Sequence, residues 1–291
     1  MAELRTAPEP ADIVEALRTI EPILVCPVCR SALRLDGSDL VGAACEHRYA
    51  VRGGIAHLAL LGTAETWDSS FDGSSSQHYQ KSYQKVAAAE RYNRNYQQKP
   101  LKQLNTQREL SLLRRLLTTQ GHTRSLLNLP CGGGRLSRPL AEATDLLLEA
   151  DIAVGQLLYG ADRREWTTPE VRMTASAFHI PLCDRSVDGS VCVRLSHHLP
   201  TAEERTRLLA ELLRVSERFV LMTFFDFRSL KNWLRRARRP LDRKPPKNTM
   251  RVEEVEEIAS EHGFALQRCP HLSIVGSGHR YALLVRQPEA S

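Results

Sequence analysis

Leu127-Asn128-Leu129-Pro130-Cys131-Gly132-Gly133-Gly134-Arg135 is the stretch on which the fold turns. It extends a short apolar run, SLLNLP at 125–130, and leads into RLSRPLAEA at 135–143, which reads as helix. A glycine-rich turn between a buried strand and a helix lets a ligand approach the main chain closely, because no Cβ stands in the way. It also aims the first N–H groups of the helix at that ligand. In open α/β sheets such turns lie beyond the carboxyl ends of the strands, where the winding order reverses. A Walker phosphate loop would end in Gly-Lys-Ser/Thr, and a dinucleotide fingerprint would space its glycines as G-x-G-x-x-G; these glycines are consecutive and no such ending follows. Asp151 stands 19 residues after Gly132, at the end of the next apolar run, DLLLEAD at 145–151. There a carboxylate can accept hydrogen bonds from ribose hydroxyls.

Outward from this point strands and helices alternate. AVGQLLYGAD (153–162) reads as helix, VRMTASA (171–177) and DGSVCVRL (188–195) as strands, and TAEERTRLLAELLRVS (201–216) as helix. Thr201 is a plausible N-cap for that helix, with Glu204 three residues on. ERFVLMTFF (217–225) is a strand, RVEEVEEIASEHG (251–263) a helix closed by Gly263, and FALQRCP (264–270) and RYALLVRQ (280–287) two strands close enough to form a hairpin. Apolar strands alternating with helices specify a mostly parallel sheet covered on both faces.

These motifs form a ladder that resembles the class I S-adenosylmethionine-dependent methyltransferases, specifically the methyltransferase-domain group. That group opens its cofactor site with a strand ending Asp-x-Gly/Pro-Cys-Gly-x-Gly. Ser176-Ala177-Phe178-His179-Ile180-Pro181-Leu182 followed by Ser186-Val187-Asp188 is similar to its Asp-Ala-x-x-Leu-Pro-Phe…Ser-Phe-Asp segment, and Arg194-Leu195-Ser196-His197-His198-Leu199 to its Leu-His-His segment. The likeness covers 105–225 well and 226–286 more loosely. It implies a Rossmann-like, seven-stranded, mostly parallel sheet with an antiparallel edge hairpin. It further implies that Pro130, Cys131, Gly132, Gly133 and Gly134 surround the methionine part of S-adenosylmethionine, Asp151 holds the ribose, Ile152 and Ala177 flank the adenine, and Arg194 to Ser196 floor the site. Two positions depart from the pattern: Asn128 replaces the first acid, keeping an acceptor for the cofactor's ammonium group without charge assistance, and Ser176 replaces the adenine-contacting Asp. These departures leave open a cofactor-binding subunit without catalysis.

Methyl transfer needs alignment and, where a proton must leave, a base. His197 and His198, the only adjacent histidines, follow a strand end and are the catalytic candidates; packing or capping of the helix at Thr201 is the rival reading.

A second signal lies at 22–61. Cys26-Pro27-Val28-Cys29 is a knuckle, and Cys45-Glu46-His47-Arg48-Tyr49-Ala50-Val51-Arg52-Gly53-Gly54-Ile55 follows. This resembles the zinc ribbon of methyltransferase-activator proteins, CxxC…CxxC-x-x-x-Tyr-Pro-Val-x-x-Gly-Ile-Pro. In that register Cys45 takes the fourth ligand position and Gly42 the third. A structural zinc site takes four N or S ligands, so Cys26, Cys29 and Cys45 need a fourth, and His47 is at hand; a module that has lost its zinc is the other reading. The organisation expected is an N-terminal helix over 1–21, the zinc-ribbon-like module over 22–61, a Ser/Gly/Asp-rich linker over 62–80 and a methyltransferase domain over 81–291, its first part, 81–118, helical.

Composition bounds the rest. The chain has 291 residues, 42% hydrophobic and 25% charged, which fits a globular protein and excludes collagen-like or wholly disordered ones. No apolar run is long enough to span a bilayer, and the mixed N-terminal composition does not read as a signal peptide, so a cytoplasmic location is expected. Seven cysteines, an odd number, argue against a disulfide framework. The net charge of +6 is concentrated: residues 228–251 hold ten Lys/Arg against Asp242 alone, leaving the remainder of the chain at −3. This segment follows the last parallel strand, where the fold commonly covers its substrate mouth. It binds RNA phosphates, or meets an anionic lipid or phosphorylated headgroup, or forms a solvated lid. The leading substrate expectation is a small molecule or a lipid/glycan intermediate; an rRNA or tRNA methyltransferase using module and basic segment is the alternative.

Overall fold

The computed structural model describes residues 10–59, 84–237, 248–273 and 277–288. The expected linker over 62–80 and most of the basic stretch after residue 237 lie outside them.

Strands β5 (Thr123–Asn128), β6 (Thr144–Asp151), β7 (Glu170–Thr174), β8 (Val187–Cys192), β9 (Ser216–Phe225), β10 (Phe264–Arg268) and β11 (His279–Arg286) form the expected seven-stranded sheet, in the order β7-β6-β5-β8-β9-β11-β10. The first five are parallel; β11 lies antiparallel between β9 and β10. The order reverses between β5 and β8, so the loop after β5 opens onto the crevice where ligands bind in doubly wound sheets.

The sheet does not stop at seven strands. A small meander, β1 (Leu33–Asp36), β2 (Asp39–Gly42), β3 (Arg48–Arg52) and β4 (Ile55–His57), belongs to the N-terminal module, and β4 pairs in parallel with β7, making eleven strands. The register is Ile55↔Arg172, Ala56↔Met173, His57↔Thr174. An open edge of unpaired N–H and C=O groups invites wrong pairing; here the module covers it.

Both faces carry helices, as the unbroken apolar strands require. Alternate residues divide between two cores. Leu127, Leu148 and Val220 pack with α6 (Ala202–Val215), α8 (Val252–Glu261) and the end of α1 (Pro10–Ile20). Leu126, Leu147 and Leu221 pack with Leu112, Leu113, Leu116 and Leu117 of α3 (Pro100–Thr118) and Leu140 of α4 (Ser137–Ala141). The helical stretch expected over 81–118 is two helices, α2 (Val86–Gln98) and α3, because Lys99 precedes a proline and is held extended at φ −98° and ψ 114°. The remaining helices are α5 (Val154–Ala161) and α7 (Leu230–Ala237). α6 begins with the capping box read from sequence: the Glu204 N–H donates to Thr201 Oγ1 at 3.1 Å and the Thr201 N–H donates to Glu204 Oε2 at 3.0 Å. Gly263, at φ +75°, ends α8.

Candidate functional site

The glycine loop and Asp151 meet as the spacing suggests. Parallel pairing of β5 and β6 places their carboxyl ends side by side, and Asp151 is fully buried between them. Its Oδ2 accepts from the Gly132 N–H at 2.9 Å and its Oδ1 from the Ala153 N–H at 2.9 Å. Burial pushes its carboxyl up to about 6 despite those amides. The three glycines have different tasks. Gly132 is left-handed, at φ +56°, and among the described residues no atom lies within 4 Å of where its Cβ would stand, so the main chain here borders open space. Gly133 instead lies against helices: a Cβ would stand 2.7 Å from Tyr159 Cδ1 and collide with Asn93. Gly134, at φ +76°, turns the chain into the next helix. Pro130 begins the turn, and the Cys131 N–H donates to the Ala150 carbonyl at 2.8 Å, tying the loop to β6.

Several expected contacts are organised differently from the pattern. Asn128 is buried and its Nδ2 donates to Glu149 Oε2 at 3.0 Å. Glu149, which the sequence did not single out, is itself buried, and burial with the nearby Glu170 charge raises its carboxyl to about 7. Ser176 is buried and its Oγ accepts from the Phe178 N–H at 3.3 Å, so it shapes its own turn, with Ala177 half-buried beside it. Ile152 is half-buried next to Asp151. Arg194 adopts a left-handed backbone, φ +67°, uncommon for a residue with a Cβ. Its Nε donates to Glu109 Oε1 at 2.8 Å, while Ser196 Oγ donates to the Thr223 carbonyl at 2.8 Å.

Glu109 of α3 is a second acid that sequence reading passed over. It is 1% exposed, yet Arg135 from the glycine loop, Arg194 from the end of β8 and Tyr281 of β11 all donate to it, at 2.6, 2.8 and 2.8 Å. Burial pushes its carboxyl up, but the two guanidiniums more than offset that and hold it below its ordinary value. One carboxylate thus joins the ligand-facing ends of three strands.

His197 and His198 follow β8 in a 3-10 turn, with ring centroids 4.2 Å apart. His197 also packs on Phe225 and His279, at 4.4 and 5.1 Å, whereas His198 is exposed. His279 is a third histidine of this cluster. Its burial, reinforced by the Arg194 charge, pushes it down to about 3, so it is neutral at physiological pH.

In the module, the Cys26, Cys29 and Cys45 thiols and a ring nitrogen of His47 lie within 4.8 Å of one another. Cys26 Sγ is 3.6 Å from His47 Nδ1 and 3.0 Å from the Tyr49 hydroxyl. Hydrogen bonds from Ser31 lower the Cys29 thiol to about 6, towards the thiolate that a metal binds. Gly42 has no room for a ligand of its own, since a Cβ there would overlap the Cys45 sulfur. The donor set is that of a tetrahedral Cys₃His zinc site.

Residues 127–218 match the family model described as the methyltransferase domain. No curated protein matches the chain. Among solved structures it is similar to the magnesium protoporphyrin IX methyltransferase of Synechocystis PCC 6803 with bound SAH, at 18% identity and TM-score 0.62, over 72% of this chain and 99% of that one. It is also similar to the N-methyltransferase NodS of Bradyrhizobium japonicum WM9 in complex with S-adenosyl-l-homocysteine, at 12% identity and TM-score 0.55, over 74% and 99%. A third likeness, at 11% identity and TM-score 0.54 over 73% and 99%, is to a complex between the Haloferax volcanii Trm112 methyltransferase activator and a protein assigned as a methyltransferase. At these identities the structural likeness establishes the fold, and the family match concerns residues 127–218. Residues 127–218 thus match a methyltransferase domain, set in a doubly wound sheet that the methyltransferase structures above share.

Proposed function

We propose that the chain transfers a methyl group from S-adenosylmethionine to a small-molecule or lipid/glycan acceptor. The observation that carries this is Asp151 facing the Gly132 amide where the strand order reverses, beside open space. A carboxylate has about four acceptor positions; Asp151 is buried with the Gly132 and Ala153 amides on its two oxygens, and the remaining positions would take the ribose hydroxyls once the loop admits the cofactor. Pro130 to Gly134 would border the methionine part, with Ile152 and Ala177 on either side of the adenine and Asn128, Ser176, Arg194 and Ser196 fixing the walls. Bound there, the cofactor supplies an electrophilic methyl on its sulfonium. The protein's part is alignment and removal of a proton from the acceptor. His279 is too weakly basic to serve near neutrality. His198, exposed at the mouth and stacked on His197, can take that proton and return it to water. The acceptor named for the first structure reported above, magnesium protoporphyrin IX, is chemically small, which supports a small acceptor over a polynucleotide.

Zinc on Cys26, Cys29, Cys45 and His47 would hold the knuckle from which β4 reaches β7. The test of the acceptor class is transfer of labelled methyl from the cofactor into fractionated metabolites, lipids and RNA. Label is expected in the organic or small-molecule fraction and to fall at least tenfold in His198→Ala. Label confined to RNA, or none from enzyme that binds the cofactor, contradicts the reading; the latter would describe a cofactor-binding subunit.

A further inference from the structure

Helix α7 is built inside out for a surface helix. Such a helix normally buries its apolar stripe and shows polar residues to water. Here Asn232, 2% exposed, is the residue turned inward, its Nδ2 donating to the Asp226 carbonyl at 2.8 Å. Leu230, Trp233 and Leu234, spaced i, i+3, i+4, share the other face and are 47%, 56% and 37% exposed. They are three of the six exposed large hydrophobic side chains among the described residues, gathered on eight residues of chain. Cations neighbour them along the chain and at Phe227. Among the described residues these are Arg228, which also pairs with Glu253, Lys231, Arg235, Arg251 and Arg236, which lies over the Phe227 ring at 3.9 Å; in sequence the stretch 228–251 carries +9.

The inner side of α7 roofs the histidine cluster. Arg235 lies over Phe225 at 5.6 Å, and Phe225 packs on His197 and His279. One face of the helix therefore looks to the acceptor side of the site and the other shows leucine and tryptophan to solvent.

We propose that the outer face of α7 docks on an anionic phospholipid bilayer, Leu230, Trp233 and Leu234 entering the headgroup boundary while the neighbouring arginines meet lipid phosphates. This combination of apolar wedge and cationic rim is what interfacial helices use. RNA fits less well: a base-stacking platform needs several aromatics, and this surface has one. A second copy of the chain fits less well too, because a helix of about 12 Å cannot supply the roughly 800 Å² per partner of a stable interface. Docking brings the mouth at His198 to the bilayer surface, so the acceptor would be a lipid-anchored or membrane-dissolved molecule. That last step rests on the methyltransferase reading above; the docking does not.

The test is flotation of the full chain with vesicles of phosphatidylglycerol and phosphatidylcholine, against vesicles of phosphatidylcholine alone. Binding is expected to the anionic vesicles, at least tenfold weaker to the neutral ones, and at least tenfold weaker for the triple variant Leu230→Ser, Trp233→Ser, Leu234→Ser. Those side chains are exposed, so the variant should keep the thermal midpoint and the S-adenosylmethionine affinity of the parent. Equal binding to both vesicles, binding unchanged in the triple variant, no binding to either, or a parent dimer that the triple variant dissolves would each overturn the proposal. Loss of cofactor binding with flotation intact would instead remove the enzyme reading and leave the docking in place.

Discussion

Glu149 and Asp151 stand two residues apart on β6, on the same face, and both are buried acids whose carboxyls are raised, to about 7 and about 6. Asp151 was legible because it follows the glycine loop at a set distance. Glu149 was not: in DLLLEAD nothing marks which acid turns inward beside Asn128. Its burial has a measurable sign. Below pH 4.5 the carboxyl is protonated in both folded and unfolded chain. Between 4.5 and about 7 only the folded chain keeps the proton, so stability falls as the pH rises, by on the order of 3 kcal/mol from this group. Above 7 its contribution is flat. Glu149→Gln, which still accepts from Asn128, should flatten the fall and raise the thermal midpoint at pH 8. A variant as pH-dependent as the parent would show that the group is not the source. Glu109 was hidden for a different reason: in RELSLLRRLL it looks like a solvated face, and its partners at 135, 194 and 281 are distant in sequence. Glu109→Gln leaves Arg135 and Arg194 without their countercharge and should cost about 3 kcal/mol in chemical denaturation; a loss below 1 kcal/mol would contradict the clamp.

At the scale of elements, the parallel strands, their helices and the closing hairpin could all be read from periodicity and turn residues, because each is fixed by local sequence and a two-faced core. What could not be read is what meets across the chain. The docking of β4 on β7 depends on main-chain hydrogen bonds, which leave no mark on side-chain pattern. The fourth zinc donor, by contrast, was legible: the register with activator proteins puts Gly42, which has no ligand atom, at the third position, and His47, the donor at hand in the sequence, lies with the three thiols. If the metal site holds the meander, stripping it with a chelator should release β4. Amide exchange at Arg172 and Thr174, whose N–H groups alternate with the β6-facing amide of Ala175 and so face β4, should then rise at least tenfold while Leu126 and Leu127 in the centre stay protected. Exchange unchanged at 172 and 174 would show that β4 stays in place without metal.

At the scale of the whole molecule, module and methyltransferase domain are one sheet rather than two beads. Arg30, at the end of the CxxC knuckle, donates from Nη2 to both oxygens of Glu211 on α6, at 3.0 and 2.9 Å, and from Nη1 to the Ile180 carbonyl at 2.9 Å. Replacing it by alanine should lower stability by about 1 kcal/mol, since the pair is partly exposed, with the same midpoint for both regions if they unfold together. The claim on which the rest depends is that the crevice at the reversal of strand order receives S-adenosylmethionine through Asp151. Titration calorimetry of that cofactor into the full chain, and into Asp151→Ala, tests it directly. One site per chain is expected, weakened at least tenfold by the substitution; no heat at millimolar cofactor, or an affinity untouched by the loss of the carboxylate, would contradict it.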